Sequence, residues 1–469
     1  MTEPSGSAAS SGPYGSGRAP SGPWWQDKRI WLLIAVTVLP RLALAAIGYD
    51  VRCVRDECMY LFTARRMMDG LGMTPSNGWL WAPGQVVLMA LHGAVTGYPG
   101  TVKVTQCLLA GVSALLLVRL GTRLGGERAG FVAAWIYAVS PTLVFFAARL
   151  WSETTYATLL LLALETLFRA REGRPARAVL PGLALGACVL LRGVATYMLP
   201  IFALGLLWGR WMNRRAWVGM LVLLAATTAT VAPYSAYASH KFGSFILSDR
   251  TMGQMMWLGN NDFSPVTFDY GNGLLSDSAY ALHTGTGRPH CAEKSEPIVR
   301  DACETSAGLA WIRENPGLFL RRVPLRLAQM MNPNTFLTRA VRSVRPRDAP
   351  QTAVGALCAL VAAFSFLHVL APAVGAWARG RGVYVLVAGL TTAYHLAAVG
   401  ALAGLSRYRL PLEILWLPYA GVLLSAPLAS WRALGASRPR LAGAILTIVV
   451  LLPLLLWYLP AGFPRWKHW

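Results

Sequence analysis

The chain has 469 residues, 55% of them hydrophobic and only 14% charged, with a mean hydropathy of +0.44 and a formal net charge of +22. A soluble protein of this length needs far more charge to cover its surface, so the composition excludes an ordinary water-soluble enzyme and puts much of the surface in lipid. The arginine excess would suggest nucleic acid in a soluble protein. Here it falls in short clusters between apolar runs, as the positive-inside rule produces, and no nucleic-acid partner is expected.

In chain order, Met1–Trp24 is rich in Ser, Gly and Pro with almost no aliphatic residues, and residues 1–27 read as a disordered cytoplasmic tail. No secretory signal is visible, and the first apolar run reads as a retained span. Long apolar runs cover 30–49, 103–120, 129–147, 154–170, 178–192, 195–209, 216–237, 352–377, 383–404, 411–429 and 441–459. A helix needs about twenty residues to cross the hydrocarbon core, a length that several runs reach and others miss. Residues 83–97 are also apolar, but the segment is short, contains His92 and is flanked by Gly and Pro, which suits an interfacial or re-entrant helix.

The basic clusters decide sidedness. Lys28-Arg29, Arg119/Arg123/Arg128, Arg169/Arg171/Arg174/Arg177, Arg210/Arg214/Arg215, Arg379/Arg381 and Arg432/Arg438/Arg440 all fall inside if 83–97 does not cross, which gives about eleven spans. The expected architecture is an all-α polytopic protein of the plasma (inner) membrane with a cytoplasmic N-terminus. Transmembrane helices fill 28–239 around a first extracytoplasmic loop at 50–102. A large extracytoplasmic segment at 240–350 precedes C-terminal transmembrane helices at 351–469. Within the large segment, Trp311–Met331 alternates apolar and basic residues at helical spacing, interrupted by Pro316 and Pro324, and is expected to lie along the membrane surface. Cys107, Cys188 and Cys358 sit in apolar runs as small hydrophobes. Cys53 with Cys58, and Cys291 with Cys303, fall in outer segments where either pair could form a disulfide.

Most of the acidic residues lie in the two outer segments, so the chemistry is sought on that face. Asp56-Glu57 opens a short amphipathic helix just after the first span, where the helix N-terminus favours ionised carboxylates suited to a general base or a metal ligand. A capping, solvated pair is the plainer alternative. Glu153 sits where one span ends and the next begins; it is either functional or ion-paired with Arg149 one turn away. Arg407-Tyr408-Arg409 occupies a tight outer loop, where guanidinium forks suit phosphate and where interfacial anchoring is the competing role. Arg192 is a weaker candidate of the same type, and Arg41, His368 and His395 read as interhelical hydrogen-bonders. No Walker loop, dinucleotide fingerprint, HExxH or nucleophile elbow occurs in a usable context, which argues against an ATP-driven pump and a zinc protease.

With these residues placed, the chain resembles the GT-C superfamily of polyprenyl-phosphate-sugar-dependent glycosyltransferases, and within it the bacterial relatives of protein mannosyltransferases and of the aminoarabinose transferase of lipid A. The likeness runs from Arg41 to about Pro427. It rests on Asp56-Glu57-x-x-Tyr60, Trp81-Ala82-Pro83-Gly84, the second acidic position Glu153, Trp257-Leu258-Gly259-Asn260-Asn261, Asn315-Pro316 and Arg407-Tyr408-Arg409-Leu410-Pro411. The family often has two prolines where this chain has Pro83-Gly84, and several relatives use Asp where it has Glu153.

The resemblance implies a GT-C bundle that transfers a sugar, with inversion, from a polyprenyl phosphate to an extracytoplasmic glycan, lipid or protein. Asp56 would act as base, with Glu57 and Glu153 supporting it or, through Asp56 and Glu153, holding a divalent cation. Arg407, Arg409 and Arg192 would neutralise the leaving phosphate. A lipid-linked glycan transporter or flippase, or a non-catalytic envelope-polysaccharide scaffold, is the alternative reading.

Overall fold

A lipid-facing backbone must satisfy its hydrogen bonds internally, and an α-helix does so within one segment. In the computed structural model, which describes residues 26–48, 53, 56–73, 80–261, 291, 294–333, 337–338, 351–380, 382–402 and 404–456, the regular structure is helical. Among the described residues, extended backbone pairs at one isolated antiparallel bridge, Leu80 to Arg250, which ties the first loop to the large segment. Residues 1–25 of the expected tail, Arg55 and all of 262–290 and 339–350 lie outside the described residues.

The first half contains α1 (Lys28–Ile47), α2 (Asp56–Met68), α3 (Gly84–Thr96), α4 (Val102–Gly125), α5 (Glu127–Val139), α6 (Pro141–Ala147), α7 (Glu153–Glu172), α8 (Val179–Leu191), α9 (Leu199–Leu207) and α10 (Arg214–Phe242). The second contains α11 (Met252–Gly259), α12 (Pro297–Glu314), α13 (Pro316–Met331), α14 (Gln351–Arg379), α15 (Val383–His395), α16 (Leu410–Ser425), α17 (Pro427–Gly435) and α18 (Arg438–Leu456). Among the described residues, six helices are long and apolar enough to cross a membrane, or up to eight if the bent pairs α5–α6 (65°) and α16–α17 (96°) each form one span. The segments around α8 and α9 are shorter apolar helices, as is α3.

α7 is the buried axis of the bundle and covers the apolar run at 154–170. Glu165 is buried and paired with Arg123 and Arg169. Close backbone approach locks α4 to α5, since a Cβ at Gly130 would come within 2.2 Å of the Val118 carbonyl oxygen. Arg41 crosses from α1 to the carbonyls of Ala138 and Tyr137 at 2.9 and 3.1 Å, as expected of an interhelical donor.

The bundle is polar along its length. The N-termini of α1 and α5 meet through Arg29 and Glu127, and the C-termini of α4 and α7 meet through Arg123 and Glu172. α7 is roughly 30 Å long at 1.5 Å per residue, with Glu153 in its first turn and Arg169 and Arg171 in its last. The arginine-rich end and the Glu153 end are therefore opposite ends of one bundle.

The expected surface helix Trp311–Met331 is two helices broken at Asn315, and it is not basic on its outer face alone. Arg322 and Arg326 point inward, to Asn261 O at 3.1 Å, to Asn260 Oδ1 at 3.1 Å, to Ala401 O at 2.8 Å and to Gly259 O. The Trp257–Asn261 motif is thus the acceptor set that buries these two cations. Cys53–Cys58 and Cys291–Cys303 are disulfides, whereas Cys107, Cys188 and Cys358 are free and buried. Denatured without reductant, the protein should alkylate at those three thiols only, with the other four appearing after reduction, as read by intact mass.

Candidate active site

Two helix N-termini bring the carboxylates. α2 starts on Asp56 and Glu57, and α7 starts on Glu153, so all three sit where the helix dipole favours the ionised form. α2 packs through Ala64 and Tyr60 on a small apolar cluster with Val86, Met89 and Ala90 of α3 and with Leu150. Gly84 explains the departure from a second proline: a Cβ there would lie 2.8 Å from the Leu190 carbonyl oxygen. The bare backbone lets α3 abut the end of α8, immediately before Arg192.

The segment 149–152 is clamped from three sides. Glu57, 1% exposed, accepts from both sides of the Arg149 guanidinium, with Nε at 2.9 Å, and from the Leu150 N–H at 2.8 Å. Gln85 donates to the Leu150 carbonyl at 2.8 Å and Gln106 to the Trp151 carbonyl at 2.6 Å. The clamp sets where α7 begins, and so where Glu153 stands.

Glu153 is not paired with Arg149, the partner that helical spacing suggests, because Arg149 precedes the helix and is committed to Glu57. Arg192 instead donates to Glu153 Oε1 at 2.5 Å and to Ser152 Oγ at 3.1 Å. Arg407 donates to Asp56 Oδ2 at 2.5 Å and lies 4.0 Å from Glu153 Oε1. It also rests over the Trp151 ring, 5.8 Å from the centroid. Asp56, Glu153, Arg192 and Arg407 thus form one cluster of balanced charge. Glu153 is 2% exposed, and its Oε2 has no hydrogen-bond partner among the described residues, a costly state for a carboxylate oxygen unless a donor arrives.

The half-buried Tyr60 stands one turn along α2 from Asp56, edge-on to Trp81 with centroids 5.9 Å apart. Desolvation, helped by the neighbouring Asp56 and Glu153 charges, raises its phenol well above the usual range, so it remains a neutral hydrogen-bonding group beside the cluster.

Two residues expected in this site are elsewhere. Glu57 faces the clamp. Arg409, 2% exposed, is held by Glu413, the Met330 and Asn332 carbonyls at 3.3 and 2.8 Å, and Ser365 Oγ at 2.8 Å. The sequence reading also passes over Gln85, Gln106 and Asp249. The glutamines could have been found as amides on otherwise apolar helices. Asp249 lies against Gly193, where a Cβ would meet Oδ1 at 2.0 Å, and burial raises its pKa.

Among the described residues no group of three His, Cys, Asp or Glu could hold a metal. The Arg407 guanidinium already contacts the two carboxylates that a cation would bridge.

No family model matches the chain, and no curated protein sequence matches it. Among solved structures it is similar to the archaeal oligosaccharyltransferase AglB from Archaeoglobus fulgidus in complex with an inhibitory peptide and a dolichol-phosphate, at 14% identity and TM-score 0.48, over 94% of this chain and 56% of that one. It is also similar to ArnT from Cupriavidus metallidurans bound to undecaprenyl phosphate, at 15% identity and TM-score 0.40, over 87% of this chain and 79% of that one. The chain spans about half the length of the archaeal enzyme.

Removing a partner from the buried Glu57–Arg149 pair leaves a stranded charge, which costs about 3–5 kcal/mol. Glu57→Leu should therefore lower the thermal midpoint sharply, and Glu57→Leu with Arg149→Met should recover most of the loss. Additive losses in the double variant would show that the two side chains act independently.

Proposed function

We propose that the protein is a GT-C-type membrane glycosyltransferase that moves a sugar from a polyprenyl-phosphate donor to an extracytoplasmic acceptor. The observation that carries this reading is the balanced cluster of Asp56 and Glu153 with Arg407 and Arg192, at the end of the bundle away from its arginine-rich face. The order of sequence motifs from Asp56 to Pro411 supports the same reading.

With no donor, Arg407 neutralises Asp56. An entering phosphate brings negative charge and competes for both guanidinium groups, whose planar forks suit its oxygens. As Arg407 turns to the phosphate, Asp56 becomes a carboxylate with an unmet lone pair and accepts the proton of the acceptor hydroxyl. The acceptor oxygen bonds to the anomeric carbon as that carbon's bond to the phosphate oxygen breaks, with inversion. The departing electron pair stays on polyprenyl phosphate, where Arg407 and Arg192 stabilise the developing charge. Glu153 Oε2 is available to a sugar hydroxyl, and Glu57 acts one step removed by holding Glu153 in register. No step needs a metal.

Loss of a general base costs roughly 10²- to 10⁴-fold in rate. Asp56→Asn should lose transfer to that extent with normal membrane insertion, measured with a labelled lipid-linked sugar in proteoliposomes. Full turnover in Asp56→Asn would remove Asp56 as the base.

A further inference from the structure

Apart from this cluster, a cavity of about 1030 Å³ lies between α14, α15, α16 and α18. Along α14 it runs from His368 to Gly380. That stretch spans roughly 18 Å at 1.5 Å per residue, close to the depth of one leaflet of a hydrocarbon core about 30 Å thick. Pro372, Ala373, Val385 and Leu451 give it an apolar wall. One side is α18, whose apolar window is 11% buried, the least of the six long spans, so the cavity belongs to the lipid-facing side of the bundle.

Close contacts fix which way the cavity runs. His368 meets Glu413 at 2.9 Å, and a Cβ on Gly375 would run into the Tyr419 carbonyl oxygen, so α14 and α16 lie side by side in the same direction. Val422 of α16 in turn abuts Gly125 at the end of α4, where a Cβ would meet Cγ2 at 2.7 Å. The Gly380 end of the cavity therefore lies at the arginine-rich end of the bundle.

The two ends of the cavity differ in charge. Glu413 is the one acidic residue between 349 and 469, and at the far end it is held by Arg409 and His368. At the near end Arg440 lines the mouth beside Ser437 and Pro439. Gly380, at φ +91°, lets the guanidinium lie over the end of α14, with Nη2 3.1 Å from where a Cβ would stand. Arg440 is exposed and has no hydrogen bond or ion pair among the described residues. Arg432 and Arg438 stand on the neighbouring helix ends, and α14, α15, α17 and α18 carry no acidic residue at all. Cationic side chains at the mouth of a chain-length apolar cavity are complementary to a ligand with an anionic head and a hydrocarbon tail.

We propose that the cavity holds an anionic phospholipid of the adjoining leaflet, with one acyl chain along α14 and α18 and its phosphate on Arg440. The site lies apart from the catalytic cluster, and the inference is independent of the proposed transfer, because its ligand is a bilayer lipid and no substrate. Phosphatidylglycerol has the required chemistry: its phosphodiester carries one negative charge that nothing in its own head offsets. The choline of phosphatidylcholine brings a cation of its own to the arginines. One arginine near an anionic head corresponds to roughly fivefold in affinity.

The test uses the full-length protein in detergent micelles with phosphatidylglycerol that carries a diazirine on its acyl chain, the adducts being mapped by peptide mass spectrometry after irradiation. Adducts should fall on the cavity residues Val369 and Leu451. Unlabelled phosphatidylglycerol should compete for them roughly fivefold better than unlabelled phosphatidylcholine. Arg440→Gln, a change at an exposed side chain, should bring the two competitors to parity. Ala373→Trp fills the chain path and should remove the cavity adducts while leaving those on the exposed Leu446 and Val450, which report a folded protein; if it does not fold, Arg440→Gln carries the test. Equal competition by the two lipids, an unchanged preference in Arg440→Gln, or cavity adducts that persist in folded Ala373→Trp would overturn the proposal. So would adducts confined to Leu446 and Val450, or cavity adducts displaced by undecaprenyl phosphate and not by phosphatidylglycerol.

Discussion

A carboxylate taken out of water loses several kcal/mol of solvation unless a cation replaces the water, and this constraint organises the site end of the bundle. Four carboxylates there are each met by an arginine: Glu57 by Arg149, Glu153 by Arg192, Asp56 by Arg407 and Glu413 by Arg409. Arginine suits the task because it stays protonated even when buried and offers a planar fork of donors. Three of the pairs join residues far apart in sequence, so charge compensation also fixes how α2, α7, the end of α8 and the start of α16 meet.

The same pairing makes the proposed chemistry economical. A site with bare carboxylates would repel a phosphate, and one with bare guanidinium groups would bind it without providing a base. In the observed arrangement the charges cancel. In the proposed reaction the entering phosphate takes a guanidinium from a carboxylate, so binding and activation of Asp56 become one rearrangement. Interactions that strengthen as negative charge collects on the leaving phosphate contribute to rate, whereas equal binding of donor and transition state does not.

Much of this was legible in the sequence, for reasons that differ between residues. Lipid forces the backbone into helices, so the apolar runs found most of the bundle without a template. The helix beginning at Asp56 and the one beginning at Glu153 follow from patterning and from where the apolar runs stop. Partners were harder. Arg149 and Glu153 are four residues apart, but the backbone between them is not yet helical, so the spacing rule assigned Arg149 to the wrong carboxylate. Glu57 and Asp56 are adjacent and equivalent by composition, yet successive helical residues point about 100° apart. That angle sends Glu57 into the clamp and Asp56 to Arg407. Nothing local in the sequence announces that split.

The turn Ser406–Arg409 shows the same limit and gives it a use. It is a 3₁₀ segment, in which residues three apart eclipse and residues two apart diverge. Arg407 and Arg409 therefore cannot form a single fork on one phosphate, although the sequence presents them as a pair. Arg409 is anchored by Glu413, two carbonyls and a serine hydroxyl, which makes it the fixed post of the turn. Arg407 reaches across to Asp56 and near Glu153 from that post. In the proposed reaction Arg407 changes partners, and such a guanidinium needs a backbone that does not move with it. Here the neighbouring arginine supplies that rigidity.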